Sequence, residues 1–377
     1  MTFTAPDFLL KFFKEDFFLH LDQHNKRKED FKMKKLFTRT LALAMTCSTL
    51  FLSGCGSSGS ASGGAASGMA SGSAGGTDWP TGTVTVTLPY SAGGDTDTYC
   101  RALFQRVGEK LGQTFVVTNL TGGSGVVAAM DVMTKAPDGY NILFNHTGAS
   151  LVQEATGTVD FSYTEDFENC CTVAIDRTYA LMAVSKDGQY SQYSRGWENL
   201  ENMVADATAN PGAVRYSTVF GSTTEYVGLM LEKDAGITLD NIDVGSDSAS
   251  RMAALLGGQV DLVAINYMNV KDYVESGDLI CLGIMADEPV EGIDFPTFVE
   301  QGYPSVVTAK KYEVKFPKGT DQAIVDKLAA VCKEVVEDPE FAEVLTGYFA
   351  EPLYRDAATM NTEDPAEVEA LEAGLAG

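Results

Sequence analysis

Residues 83–125 read TVTVTLPYSAGGDTDTYCRALFQRVGEKLGQTFVVTNLTGGSG, and this stretch decides the fold. Thr83 to Leu88 alternates β-branched residues and predicts a strand. Pro89 to Asp97 is a turn rich in Gly, Ser and Asp, and Thr98 to Leu111 has the apolar spacing of a helix, with Gly112 as its stop. Thr114 to Thr118 predicts a second strand, followed by a second glycine-rich turn, Asn119 to Gly125, and a small-residue helix from Gly125 to Met133. Each turn joins a strand to a helix. Such a turn leaves backbone N–H groups unpaired at the positive end of the helix dipole, a place suited to a carboxylate or phosphate. Two of them on neighbouring strands can hold one small acid.

The same grammar continues downstream. Ala136-Pro137-Asp138-Gly139 is a turn, and Asn141 to Phe144 a third strand. Ala180 to Val184, Val214 to Thr218, Val260 to Ile265 and Leu279 to Met285 predict further strands. Helices are expected at Trp197 to Ala209, Glu225 to Ala235, Ser248 to Leu256, Asp321 to Glu337 and from Pro339 to Leu345. Phe220-Gly221-Ser222-Thr223-Thr224 is a third turn opening a helix. Strand–helix alternation over short turns predicts α/β layering with parallel strands. A Gly-Gly turn alone is also an ordinary structural corner. Asp97 reads as a helix cap, Gly257-Gly258 as a helix stop and His146 as a packed residue rather than a ligand group.

Upstream, MKKLFTRTLALAMTCSTLFLSGC begins at Met33. Lys34, Lys35 and Arg39 precede an apolar run, Leu41 to Leu52, too short to span a bilayer, and Leu52-Ser53-Gly54-Cys55 has the form of a lipobox. Residues 33–54 therefore read as a lipoprotein signal peptide, with Cys55 as the lipidation site and anchor to the cell membrane. Residues 1–32 are unlike any such leader and read as a misassigned start. Residues 55–79 form a Gly/Ser/Ala tether, so folded structure is expected from residue 80 on. Residues 1–55 hold nine Lys/Arg and six Asp/Glu; removing them from totals of 27 and 52 leaves 18 and 46, a net charge of −28. That balance opposes nucleic-acid binding and long-range attraction of anions, so an anion site must work through local N–H groups. Beyond Cys55 remain Cys100, Cys170, Cys171, Cys281 and Cys332, with no CxxC pair, and a single histidine, His146, so neither a zinc site nor any cofactor is expected. Cys170 and Cys171 read as packing residues.

Four ordered segments carry a resemblance: the strand with PYSAGGDTD; LGQTFVVTNLTGGSG with KAPDGYNILF; GSTTEYVG with LLGGQVDL; and FPTFVEQGYP with FPKGTDQAIVDKL and EDPEFAEVL. Together they span Thr83 to about Leu353 and resemble the substrate-binding receptors of tripartite tricarboxylate transporters, the Bug proteins. The resemblance implies a two-lobed, type II-like periplasmic-binding-protein clamshell with two interlobe crossovers. Lobe one would comprise residues 80–180 and 287–377, and lobe two residues 181–286. It also implies a monomeric receptor that captures a small carboxylate and delivers it to membrane permease subunits. In relatives the lobe-one turns hold the carboxylate, which here implicates Tyr90, Ser91, Ala92, Gly93, Gly94, Asp95 and Thr96, then Thr121, Gly122, Gly123 and Ser124, with Thr147 and Gly148 on the same rim. Lobe two would add Phe220, Gly221, Ser222, Thr223, Glu225, Asn266 and Tyr267.

Two departures bear on the ligand. Glu225 stands where relatives carry His, and Gly245-Ser246 where they often carry Tyr-Lys. Lobe two thus loses positive charge and gains a carboxylate, with Arg251 as a possible replacement. Glu225 is then placed to pair with an ammonium, and the expected ligand is a monocarboxylate or amino acid rather than citrate. Two other classes stay open: a ligand-sensing subunit for a membrane kinase, which uses the same closed clamshell, and a dehydratase-like enzyme using Glu225 and Asp97. The lack of a nucleophile–base pair or metal constellation by spacing argues against the enzyme.

Overall fold

The structure, a computed structural model, describes residues 78–245 and 247–376. The leader, Cys55, nearly all of the tether and Ser246 lie outside the described residues. The chain builds two sheets. The first contains β1 (Val84–Leu88), β2 (Phe115–Asn119), β3 (Asn141–His146), β4 (Phe167–Asp176), β10 (Lys310–Pro317) and β11 (Ala350–Asp356), in the order β11-β4-β10-β3-β1-β2. The second contains β5 (Tyr179–Val184), β6 (Arg215–Thr218), β7 (Asp240–Asp243), β8 (Leu262–Asn266) and β9 (Leu279–Ile284), in the order β7-β6-β8-β5-β9. The chain crosses between them twice: through Arg177-Thr178 after β4, and through residues 285–309 after β9. These are the lobes and crossovers of the expected clamshell.

The sheets are mixed rather than parallel. Strand–helix units make β1, β2 and β3 mutually parallel, whereas β10 runs antiparallel to β3 and β4, and β11 antiparallel to β4. In the second sheet β6 is parallel to β7 and β8, while β5 is antiparallel to β8 and β9. β5 and β10, the strands by which the chain enters each sheet from the other lobe, run antiparallel to the neighbours they join. The return comes at Lys310: Met285, Phe298 and Val306 pack in the second core. The division expected at residue 287 therefore falls some twenty residues later.

Local chemistry fixes the helix ends that shape the cleft. Helix α1, Asp95–Leu111, follows Gly94 and stops at Gly112, whose φ of 65° needs no Cβ clearance. The helix expected from Trp197 begins at Leu200 because the Asn199 side chain accepts the Asn202 N–H, while Trp197 is buried and donates to Asp206. Thr223–Ala235 is capped by Ser222, and Ser248–Leu256 by Asp247. Val84, Val86, Leu88, Phe104, Phe144, Val314 and Phe316 are fully buried in the first core, each worth roughly 1.5–3 kcal/mol of transfer free energy. Cys100, Cys170, Cys171, Cys281 and Cys332 are free thiols; all but Cys281 are buried, and Cys170 and Cys171 pack in the first core. Among the described residues no helix is long and apolar enough to cross a membrane.

Candidate functional site

A cavity of about 370 Å³ opens between the two sheets, within the range of small-molecule sites. Its first wall is the turn after β1: all seven residues from Tyr90 to Thr96 line it. Asp97 does not. Its carboxylate accepts the Gly93 N–H (3.0 Å) and the Asn119 side-chain amide (3.0 Å) and pairs with Arg101 (2.8 Å), while Asn119 also donates to the Tyr90 carbonyl (2.8 Å). Asp97 braces the turn against the end of β2 from within the first turn of the helix; the cap position itself is Gly94, without a side-chain cap, so Asp97 is not the helix cap it was expected to be.

From the second turn only Ser124 reaches the cavity. Gly122, Gly123, Ser124 and Gly125 have φ of 137°, 54°, 52° and 108°, and the carbonyls of Gly123 and Ser124 accept from the Gln153 side chain (3.2 and 3.1 Å). This curl turns Thr121, Gly122 and Gly123 away from the cleft. Gly125 packs against Pro89, joining the two turns.

Thr147 and Gly148 begin the helix Thr147–Thr156 and lie at the seam between lobes instead of in the cavity wall. The Thr147 hydroxyl accepts the Lys311 N–H (3.1 Å), and the Gly148 carbonyl accepts the Thr223 hydroxyl across the seam. Next to it Gly221, at φ 72°, lies so close to Thr158 that a Cβ there would sit 2.4 Å from the Thr158 hydroxyl oxygen. The lobes therefore touch beside the cavity, where Thr223 also lines it.

On the second lobe Ser222, Thr223 and Thr224 line the cavity; Phe220, Gly221, Glu225, Asn266 and Tyr267 do not. Phe220 is 62% exposed. Glu225 folds back on its own turn and accepts the Gly221 N–H (2.6 Å), and burial raises its carboxyl above the ordinary range. Glu225, expected to meet a ligand ammonium, is aimed in this structure at the turn it closes and not into the cavity. Asn266 sits behind the wall, between Asp176 and Lys310, and Tyr267 packs on Phe295 and Phe349.

Several cavity residues had no sequence signal strong enough to select them. Lys310, 7% exposed at the start of β10, hydrogen-bonds Asn266, lies 4.7 Å over the Tyr179 ring and 3.7 Å from the Asp95 carboxylate. Burial pushes the Asp95 carboxyl up, but Lys310, His146, the Tyr312 hydroxyl (2.8 Å) and the Thr96 amide outweigh it and hold Asp95 below its usual range. His146 lines the cavity, stacked on Tyr90 at 4.9 Å; burial and the Lys310 charge lower it to about 3, so it is neutral at physiological pH. The packed role expected for it is right in part, because it is also a wall residue. Opposite, the helix Ser248–Leu256 contributes Ser248, Ala249, Met252 and the buried Arg251, with its cap Asp247 alongside; Asn269 and Tyr273, and Ala149, Tyr179 and Val219, also line the cavity. Arg251, undecided from sequence, belongs to the cleft. Among the described residues no group of three or more His, Cys, Asp or Glu is placed to hold a metal ion.

Comparison with known proteins agrees with this architecture. The profile of the "Tripartite tricarboxylate transporter family receptor" matches residues 99–366. A curated Cupriavidus necator protein, from the 5' region of gbd, is 30% identical over 282 residues, 74% of this chain and 82% of its own length. An R. palustris protein solved with adipate superimposes with a TM-score of 0.70 at 25% identity, covering 79% of this chain and 97% of that one. The periplasmic binding protein BugD gives 0.63 at 26% identity over 78% and 95%.

Proposed function

This chain belongs to the tripartite tricarboxylate transporter receptor family, and on that premise we propose that it is an extracytoplasmic solute receptor, held to the cell membrane by a lipid on Cys55. As a monomer it captures a small carboxylate in the interlobe cleft and presents it, closed, to a membrane permease. The observation that carries this reading is the cleft itself. About 370 Å³ of space is walled on one side by the glycine-rich turn at a helix N-terminus and on the other by the start of a helix bearing Arg251. Backbone amides and a buried guanidinium are carboxylate-binding groups. The adipate in a relative of the same fold supports the ligand class. Among the described residues the wall offers no paired nucleophile and base: His146 is held neutral with its ring against Tyr90, which favours capture over chemistry.

Calorimetric titration of the chain with small carboxylates and amino acids tests this. Saturable binding of one ligand per chain is expected; no binding across the panel refutes it. Incorporation of labelled palmitate that is lost in Cys55→Ser tests the anchor, and an unlabelled wild-type chain contradicts it.

A further inference from the structure

We propose that the C-terminal helix, Ala357–Ala376, is a strap across the two lobes. Its last turn positions the helix Thr223–Ala235, whose first turn is part of the cleft wall, and so sets how readily the cleft opens. This rests on the cleft lying between two lobes that can move apart, and not on the class of solute held there. At its start the strap belongs to the first lobe. It follows β11 directly, and its Met360 and Asp364 are fully buried. Arg355 reaches Asp364 (2.9 Å), the Asn169 side chain on β4 donates to Asn361 (2.7 Å), and Glu367 pairs with Lys311 in β10. Met360, Asp364, Glu367, Leu371 and Leu375 recur at helical spacing, and each is buried or half-buried. At 1.5 Å per residue that face runs about 22 Å.

The far end of this face lands on the second lobe. Leu375 and Tyr226 both pack against the second core. Lys233 donates to the Gly374 carbonyl (3.2 Å), one of the last-turn carbonyls that a helix leaves without an internal partner. The approach is close: a Cβ at Gly374 would lie 3.3 Å from the Tyr226 hydroxyl oxygen and 3.8 Å from the Met230 sulfur. Tyr226, Met230 and Lys233 stand at i, i+4 and i+7, on one face of the helix Thr223–Ala235. At its start the same helix meets the first lobe again, through the Thr223 hydroxyl on the Gly148 carbonyl. Gly148 lies in the helix Thr147–Thr156, along which the strap also packs. Three helices thus pack on one another across the lobes, and the one from the second lobe opens at the cleft. The two chain crossovers are covalent and survive a hinge motion, whereas a swing of the second lobe away from the first breaks the contacts at Gly374 and Leu375. Among the described residues lining the cavity none comes from the strap, so it acts through the helix Thr223–Ala235 and not by touching the solute.

The test compares the ligand-free full chain with Leu375→Asp, with a chain ending at Glu372 and with the conservative Leu375→Met, by small-angle X-ray scattering. All three leave Asn361, Asp364 and Glu367 in place. Losing the half-buried leucine or the last-turn hydrogen bond is expected to shift the lobes toward the open arrangement about tenfold. It is read as a larger radius of gyration in Leu375→Asp and in the shortened chain, with Leu375→Met matching wild type. Unchanged scattering in both disruptive variants overturns the proposal even where they melt lower, because a merely local role in stability gives that result. A wild-type profile already fitted by separated lobes overturns it too. The readout needs no solute. A chain that binds nothing in the calorimetric panel loses the receptor reading, while its scattering still decides the strap.

Discussion

Replacing Lys310 by Met removes the cation that lies between the sheets and keeps most of the side-chain bulk. In the wild type its ammonium is 3.7 Å from Asp95, over the Tyr179 ring and bonded to Asn266, which in turn holds Asp176. With an effective dielectric of about 20, the pair at that distance attracts by roughly 4–5 kcal/mol before desolvation. Breaking a buried pair by removing one partner costs about 3–5 kcal/mol. Asp95 retains some exposure, at 16%, so a loss of about 3 kcal/mol is expected. At roughly 2–4 °C per kcal/mol for a chain of this size class, melting falls by about 6–12 °C. The pH dependence carries a signature. Wild-type Asp95 is held below its ordinary value, so its contribution is present above the unfolded value and lost as pH falls through the folded one. In Lys310→Met burial dominates, the folded carboxyls of Asp95 and Asp176 rise, and the variant is penalised as pH rises through them. The gap between variant and wild type therefore narrows from pH 7 to pH 5 in differential scanning calorimetry. A variant melting within about 2 °C of wild type at pH 7, or a gap that widens on acidification, refutes the reasoning.

Three further outcomes are expected. Thr223→Val removes the hydroxyl that meets the Gly148 carbonyl at the seam and is expected to speed ligand release about fivefold, roughly the worth of one hydrogen bond, in stopped-flow dissociation; an unchanged off-rate contradicts a role in closure. Glu225→Gln leaves ligand affinity within about twofold by calorimetry, because Glu225 faces Gly221 and not the cavity, whereas a loss of tenfold or more reinstates it as a ligand group. Glu313 is fully buried near Lys315, Arg355 and Asp364, and burial pushes its carboxyl up to about 7. A raised folded value gives stability that is present below the unfolded value and lost as pH rises through about 7. Urea unfolding of Glu313→Gln at pH 5 and pH 8 is therefore expected to show a smaller pH-dependent fall than wild type, and an equal fall rejects the assignment.

The lobe-one turn was legible because its chemistry is local: Gly, Ser and Asp between a strand and a helix specify a turn opening a helix, and Asp97 in the first turn ties back to the Gly93 N–H. What escaped was decided by distant partners. β4, FENCCTVAID, is buried at all but one position and shows no alternation to read. β10, KKYEVKFP, looks like a solvated charged segment, yet Lys310, Glu313 and Lys315 are buried because Asp95, Asn266, Arg355 and Asn169 meet them from elsewhere in the chain. The helix Ala357–Ala376 carries Pro365 and a polar sequence, and is held through Asp364 to Arg355. Within the site, backbone curl sends Gly122 and Gly123 aside while helix phase brings Arg251 in, and neither is visible without the tertiary frame.

The most direct measurement is a crystal structure of the chain with its tightest ligand from the calorimetric panel. Ligand density is expected in the cavity between the Tyr90–Thr96 turn and Arg251, with Ser222 to Thr224 closing over it. Stoichiometric binding in solution with the density elsewhere on the protein, and this cavity filled only by solvent, contradicts the assignment of the interlobe cleft as the receptor's site.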